Sequence, residues 1–146
     1  MNAFSYPIAC GDFRRAGAAT RLLKERLAAA GAPPEAIRRA VIAAFEAEAN
    51  VLIHACGGRM EARLDAGRLD VEVRDFGPGI ADVGLAMQEG RSTAPPEARA
   101  AGFGAGRGLA NIRRASDAFA IDSVPGRGTA LRFSIRLEQA PQRERV

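Results

Sequence analysis

The stretch Glu46-Ala47-Glu48-Ala49-Asn50-Val51-Leu52-Ile53-His54, residues 46–54, places three of its four polar side chains, Glu46, Asn50 and His54, four residues apart in a segment rich in apolar residues. On a helix, Glu46, Asn50 and His54 advance by only about 40° per step, so they share one face. Burying an acid and an amide among apolar neighbours is costly unless a metal ion, a water or a ligand compensates. The pattern indicates a polar site on a helix. The alternative is that these are satisfied surface or capping groups.

The helix that carries this face is predicted from Pro33-Pro34 to about Ala55, because proline favours a helix start and Gly57-Gly58 follows its end. Before it, residues 3–9 predict a strand, and a helix from the N-cap Asp12 is expected to end at Gly31.

After the central helix, alternating apolar and charged residues predict a β-hairpin around residues 65–67 with one buried face. A short helix is predicted over 83–88, a long loop or lid over 90–108, a helix over 108–117, and strands over 119–121 and 130–137. The expected architecture is an α/β (α+β) two-layer sandwich, with a mixed, mainly antiparallel sheet and the helices on one face. Residues 1–137 are predicted to form one domain, followed by a disordered polar tail over 138–146.

Composition excludes several classes of protein. The 146 residues contain no apolar run of eighteen and no signal-peptide pattern, so we expect a cytoplasmic protein that does not span a membrane. Cys10 and Cys56 lie far apart and lack other ligands at metal-binding spacing, which predicts small core residues instead of a disulfide or a zinc site.

The net charge of +4 does not indicate nucleic-acid binding, because the arginines are dispersed and aromatic residues make up only 5% of the chain. Lys24 is the only lysine, and it lies in an amphipathic helical stretch. This excludes a P-loop, which needs a Gly-Lys-Ser/Thr step, and a eukaryotic-type kinase site, which needs a strand lysine.

Three further segments contain groups that could bind a ligand. Asp75-Phe76-Gly77-Pro78-Gly79-Ile80 follows a strand, so its carboxylate could accept a hydrogen bond from an exocyclic amine; a structural turn is the alternative. Gly102-Phe103-Gly104-Ala105-Gly106-Arg107-Gly108 opens a helix and could approach phosphates, although it fails the dinucleotide-binding pattern, and plain glycine-rich mobility is the alternative. Gly126-Arg127-Gly128-Thr129 brings a hydroxyl near the sheet or is simply a hairpin turn.

In this order, the four segments resemble the N-box, the two glycine boxes and the closing Gly-Thr of the Bergerat-fold ATPases, the superfamily of histidine-kinase ATP domains. Within it, residues 46–50 resemble the acid-x-x-x-Asn box of the anti-sigma serine/threonine kinases. Residues 88–94 and 102–109 are similar to the stressosome switch kinases of the RsbT type.

The resemblance implies a role for each matching residue. It implies that Glu46 activates the attacking hydroxyl or water and that Asn50 binds the nucleotide through Mg²⁺. It implies that Asp75 recognises adenine with support from Thr129. The remaining nucleotide-binding positions that it implies are Gly77, Gly79, Ile80, Thr93, Gly104, Gly106, Arg107 and Gly108.

The activity implied by the resemblance is ATP- and Mg²⁺-dependent phosphorylation of a small antagonist protein of the sulfate-transporter and anti-sigma-antagonist (STAS) type. The alternative partners are a sigma factor, a phosphatase or a second copy of the chain in a homodimer. The alternative function is a non-catalytic ATP-binding module that sequesters a sigma factor or an antagonist. An ATPase domain of a larger histidine kinase is less expected, because no dimerisation helix with a phosphoacceptor histidine is present and His54 is the only histidine.

Overall fold

The computed structural model describes residues 2–9, 13–55, 57–65, 67–77 and 108–137. Within them, five strands form one sheet in the order β1-β2-β3-β5-β4, and every pairing is antiparallel. The elements in chain order are β1 (Asn2–Ile8), a 3-10 turn (Phe13–Arg15), α1 (Ala18–Ala29), α2 (Pro34–His54), β2 (Gly58–Asp65), β3 (Arg68–Asp75), α3 (Gly108–Ala115), β4 (Ala118–Val124) and β5 (Gly128–Arg136).

Strict alternation along the strands separates an apolar face from a charged face of the sheet. Val71 of β3 pairs with Ala62 of β2 and Phe133 of β5, and all three side chains are buried against the helices. On the opposite face, Glu72 accepts hydrogen bonds from Arg132 and Arg74 at 2.6 and 3.0 Å. The Arg132 bond is the main reason that the pKa of Glu72 lies below its usual value.

The three α-helices of the described residues pack on the apolar face, with α2 between α1 and α3. The small side chains of α2, including the fully buried Ala40 and Ala44, let the neighbouring helices approach closely. Leu23 of α1 and Ile112 of α3 are likewise excluded from solvent. These features confirm the predicted α+β sandwich with the helices on one face.

The start of α1 differs from the prediction of a helix beginning at Asp12. The helix begins at Ala18, after a 3-10 turn and Gly17, which has the left-handed conformation at φ 93°. A residue in that conformation interrupts a right-handed helix, so the turn and the helix are separate elements. At the start of α1, the backbone N–H groups of Gly17 and Thr20 donate hydrogen bonds to the carboxylate of Glu48 on α2.

The other predicted elements within the described residues are confirmed with shifted ends. Helix α3 ends at Ala115 instead of 117, and β4 and β5 begin earlier than expected. Cys10, Cys56, the predicted helix over 83–88, most of the predicted loop and the tail over 138–146 lie outside the described residues. In the part of the chain that the structure describes, no helix is long and apolar enough to cross a membrane.

Candidate functional site

Glu46 of α2 lies against the first turn of α3. Its carboxylate Oε1 accepts a hydrogen bond from Asn111 Nδ2 at 3.3 Å. A Cβ atom added to Gly108 would lie only 3.1 Å from Glu46 Oε2, so the glycine lets the carboxylate lie here without a shift of a few tenths of an ångström. The amino end of a helix favours negative charge, and the half-buried carboxylate is therefore well placed there.

Asn50 lies one turn after Glu46 on the same face of α2 and is also half-buried. The described residues hold no group of three His, Cys, Asp or Glu side chains that could bind a metal ion. Mg²⁺ commonly keeps several waters and is bound by one or two protein oxygens together with substrate phosphates. The Asn50 side-chain oxygen, one turn along α2 from Glu46, fits such a shared site, in which a triphosphate would supply further ligands.

Asp75, the last residue of β3, is a buried carboxylate with 6% exposure. Its Oδ1 accepts hydrogen bonds from the backbone N–H groups of Gly77 at 2.9 Å and Thr129 at 3.2 Å. Among the described residues, no other donor reaches this carboxylate. The two bonds fix one oxygen in place, and the second oxygen can accept a hydrogen bond from an exocyclic amine of a purine.

Thr129 and Ser123 form a pair of hydroxyl groups beside Asp75. Ser123 of β4 lies directly opposite Thr129 of β5, and their hydroxyl oxygens are 2.8 Å apart. Gly128, just before Thr129, has φ 121°, and an added Cβ would collide with the backbone carbonyl of Asp75. The start of β5 therefore packs directly on the end of β3.

His54, the last residue of α2, faces the same region. Burial lowers the pKa of its imidazole, whereas the negative charge of Asp75 raises that pKa. Because the charge of Asp75 acts on the imidazole, the two groups lie near each other. A Cβ on Gly77 would lie 2.9 Å from the backbone oxygen of His54. The turn after β3 thus packs on the end of α2, and the polar face of α2 continues to Asp75.

The structure gathers the described site residues into two groups along this face. Glu46 and Gly108 lie together at the α2–α3 contact, with Asn50 one turn further along α2. Asp75, Gly77 and Thr129 lie together at the end of the sheet. Gly79, Ile80, Thr93, Gly104, Gly106 and Arg107 lie outside the described residues.

Asn111 and Ser123 are two residues of the site that were not predicted from the sequence. Asn111 follows Gly108 by three residues, so helical spacing could have placed it on the same side of α3 as the glycine. Ser123 could have been found from the β4–β5 hairpin, since a turn over 125–127 sets it opposite Thr129. Together with Asp75, Glu46 and Asn50, these groups give the described part of the site two carboxylates, two amides and a hydroxyl.

Comparisons with known proteins identify the family of the chain. The family of histidine kinase-like ATPase domains matches the chain over residues 11–135. The chain is 33% identical over 97 residues to the serine/threonine-protein kinase RsbT of Bacillus subtilis (strain 168), a match that covers 64% of this chain and 67% of the relative. It is 31% identical over 97 residues to the anti-sigma F factor of Thermoanaerobacter sp. (strain X514), covering 63% of this chain and 64% of that relative.

Solved structures support the fold. The crystal structure of the RsbU and RsbW domains of Rv1364c from Mycobacterium tuberculosis has a TM-score of 0.65 and 19% identity, covering 94% of this chain and 32% of that one. The mycobacterial sensor histidine kinase MprB has a TM-score of 0.50 and 20% identity, covering 68% of this chain and 71% of that one. At these identities the similarity concerns the fold alone.

Proposed function

Because the chain belongs to the family of histidine kinase-like ATPase domains, we propose that it binds ATP with Mg²⁺ and phosphorylates a serine or threonine of a protein partner. The proposed partner is a small STAS-type antagonist, and the proposed setting is the cytoplasm. The similarity to the RsbT kinase supports the class of reaction. The observation that carries the proposal is the position of Glu46, at the amino end of α3 and one turn before Asn50.

In this proposal, each group in the described site has one task. Asp75 accepts a hydrogen bond from the adenine amine, while Gly77 and Thr129 hold its other oxygen. Asn50 provides an oxygen for Mg²⁺, which neutralises charge on the phosphates when bound. Phosphoryl transfer needs mainly positioning and charge stabilisation from the protein, so this small set of groups is adequate.

Glu46 acts on the attacking hydroxyl. Its carboxylate orients the hydroxyl and accepts its proton as the oxygen bonds to the γ-phosphorus of ATP. The bond between that phosphorus and the bridging oxygen breaks, and ADP leaves. The products are a phosphorylated partner and ADP.

The test is transfer of radiolabelled γ-phosphate from Mg-ATP to a candidate STAS-type antagonist. Glu46→Gln keeps the size of the side chain but removes the base, so we expect at least a ~100-fold loss of transfer rate. The ATP dissociation constant should stay within about twofold of the parent. Glu61→Gln, on the exposed face of β2, is the matched control and should behave like the parent.

Two outcomes would contradict the proposal in different ways. Full transfer by Glu46→Gln would remove the catalytic role of Glu46. Calorimetry that detects no binding of ATP or ADP with Mg²⁺ by the parent protein would remove the nucleotide site itself.

A second candidate function is sequestration of a sigma factor or an antagonist under the control of bound nucleotide. The similarity to anti-sigma F factors favours it. In that case the partner binds in a nucleotide-dependent manner, no phosphate is transferred, and Glu46→Gln leaves the complex intact.

A further inference from the structure

Three hydrogen-bonding side chains form a continuous path from the surface of α3 to Glu46. Arg114 Nη2 donates to Asn111 Oδ1 at 2.6 Å, and Asn111 Nδ2 donates to Glu46 Oε1 at 3.3 Å. Asn111 and Arg114 are three residues apart on α3, so they lie on one side of the helix. Asn111 is the only member of the path with both a donor and an acceptor group.

The chemistry of the two ends fixes the orientation of the Asn111 amide. A guanidinium group has only donors, so Arg114 can bond only to the amide oxygen. An ionised carboxylate has only acceptors, so Glu46 can bond only to the amide NH₂. If the amide were flipped, its NH₂ would face the Arg114 guanidinium, another donor, and its oxygen would face the Glu46 carboxylate, another acceptor. The flipped orientation is therefore disfavoured.

We propose that Asn111 is a positioning residue that holds the Glu46 carboxylate in its reactive orientation. The amide occupies Oε1 and leaves Oε2, the oxygen beside Gly108, to accept the proton of the attacking hydroxyl. This inference rests on the proposed role of Glu46 as the base.

Helix α3 does not depend on Asn111 for its attachment to the domain. Leu109 and Ile112 are buried in the core, at 6% and 0% exposure. At the other end of α3, Arg39 Nε donates to the backbone oxygen of Ala115 at 2.8 Å. Because these contacts hold α3 in place, a substitution at Asn111 can change the orientation of Glu46 while α3 stays docked.

Two substitutions at Asn111 separate positioning from general structural support. Asn111→Ala removes the donor, and we expect kcat for phosphoryl transfer to fall about tenfold with the KM for ATP within about twofold. Asn111→Asp keeps the size but places a second carboxylate against Glu46, so the decrease in kcat should be larger, about 100-fold. Arg113→Ala, on an exposed residue of α3, is the control and should match the parent.

A second measurement requires neither nucleotide nor activity. In the ¹H–¹⁵N spectrum of the ligand-free protein, the Asn111 side-chain NH₂ resonances should shift in Glu46→Gln and in Arg114→Ala, but not in Arg113→Ala. Amide resonances that do not respond to Glu46→Gln would overturn the inference, as would a kcat for both Asn111 variants within twofold of the parent.

The two measurements also separate this inference from the proposed function. A parent protein that binds ATP but transfers no phosphate overturns the function and, with it, the catalytic purpose assigned to Asn111. An active parent whose Asn111 variants are fully active overturns the inference alone.

Discussion

Thr20 of α1 donates both its backbone N–H and its hydroxyl to Glu48 Oε1, at 2.9 and 2.8 Å. The other oxygen of Glu48 accepts the backbone N–H groups of Gly17 at 3.0 Å and Ala19 at 3.3 Å. A residue in the middle of α2 thus caps the first turn of α1 from across the helix interface. The segment 46–50 therefore has one acid for packing, Glu48, and another at the site, Glu46.

The first prediction concerns this cap. Glu48 is 2% exposed, so Glu48→Ala leaves buried donors without an acceptor, and we expect a loss of about 3 kcal/mol in the free energy of unfolding. Glu48→Gln keeps one acceptor oxygen and should lose less. Urea unfolding measures both, with Glu61→Ala on the exposed sheet face as the control. A decrease of under about 0.5 kcal/mol in Glu48→Ala would show that the cap is not needed for stability.

The elements that depend on local patterns could be predicted from the sequence. The β2–β3 hairpin follows from alternation, and the bounds of α2 follow from Pro34 and the glycines after His54. The start of α1 could not be predicted, because its cap comes from Glu48, 28 residues later than Thr20. Asp12 is the local N-cap candidate in the sequence, whereas the helix begins after Gly17.

The second prediction concerns the recognition of adenine. Asp75→Asn keeps an oxygen for the N–H groups of Gly77 and Thr129, but its NH₂ then faces the amine of the base. Two opposed donors should weaken ATP binding about 30-fold, or about 2 kcal/mol. Calorimetry checks this, with Asp70→Asn on the opposite face of β3 as the control. An unchanged dissociation constant in Asp75→Asn would exclude Asp75 as the adenine contact.

The third prediction compares two glycines of the β4–β5 turn. Gly126 and Gly128 both have positive φ, at 79° and 121°. An added Cβ at Gly126 meets nothing within 4 Å, so Gly126→Ala should cost only the backbone strain of about 1 kcal/mol. Gly128→Ala must also displace the backbone of Asp75 and should lose more stability together with ATP affinity. Thermal unfolding and calorimetry measure both effects, and equal losses in the two variants would contradict the packing of β5 on Asp75.

The geometry of the site follows from the sequence only within a single element. Glu46, Asn50 and His54 share a face because of helical spacing alone. The contact of Asn111 with Glu46 depends on how α3 docks on α2, which is determined by the burial of Ile112 and its neighbours. Tertiary packing of this kind has no local sequence pattern, so helical spacing can place Asn111 on the same side of α3 as Gly108 but cannot predict its contact with Glu46.

The last prediction concerns pH. Burial lowers the pKa of His54 from its ordinary value of 6.5, with Asp75 acting in the opposite direction. A group whose pKa is lower in the folded state than in the unfolded state stabilises the fold at pH values above its unfolded-state pKa. That stability is lost as the pH falls through the folded-state pKa. Between about pH 7.5 and about pH 5, the free energy of unfolding in urea should therefore fall more in the parent than in His54→Gln, which cannot titrate there. An equal decrease in both proteins would assign the acid sensitivity to carboxylates and contradict this role of His54.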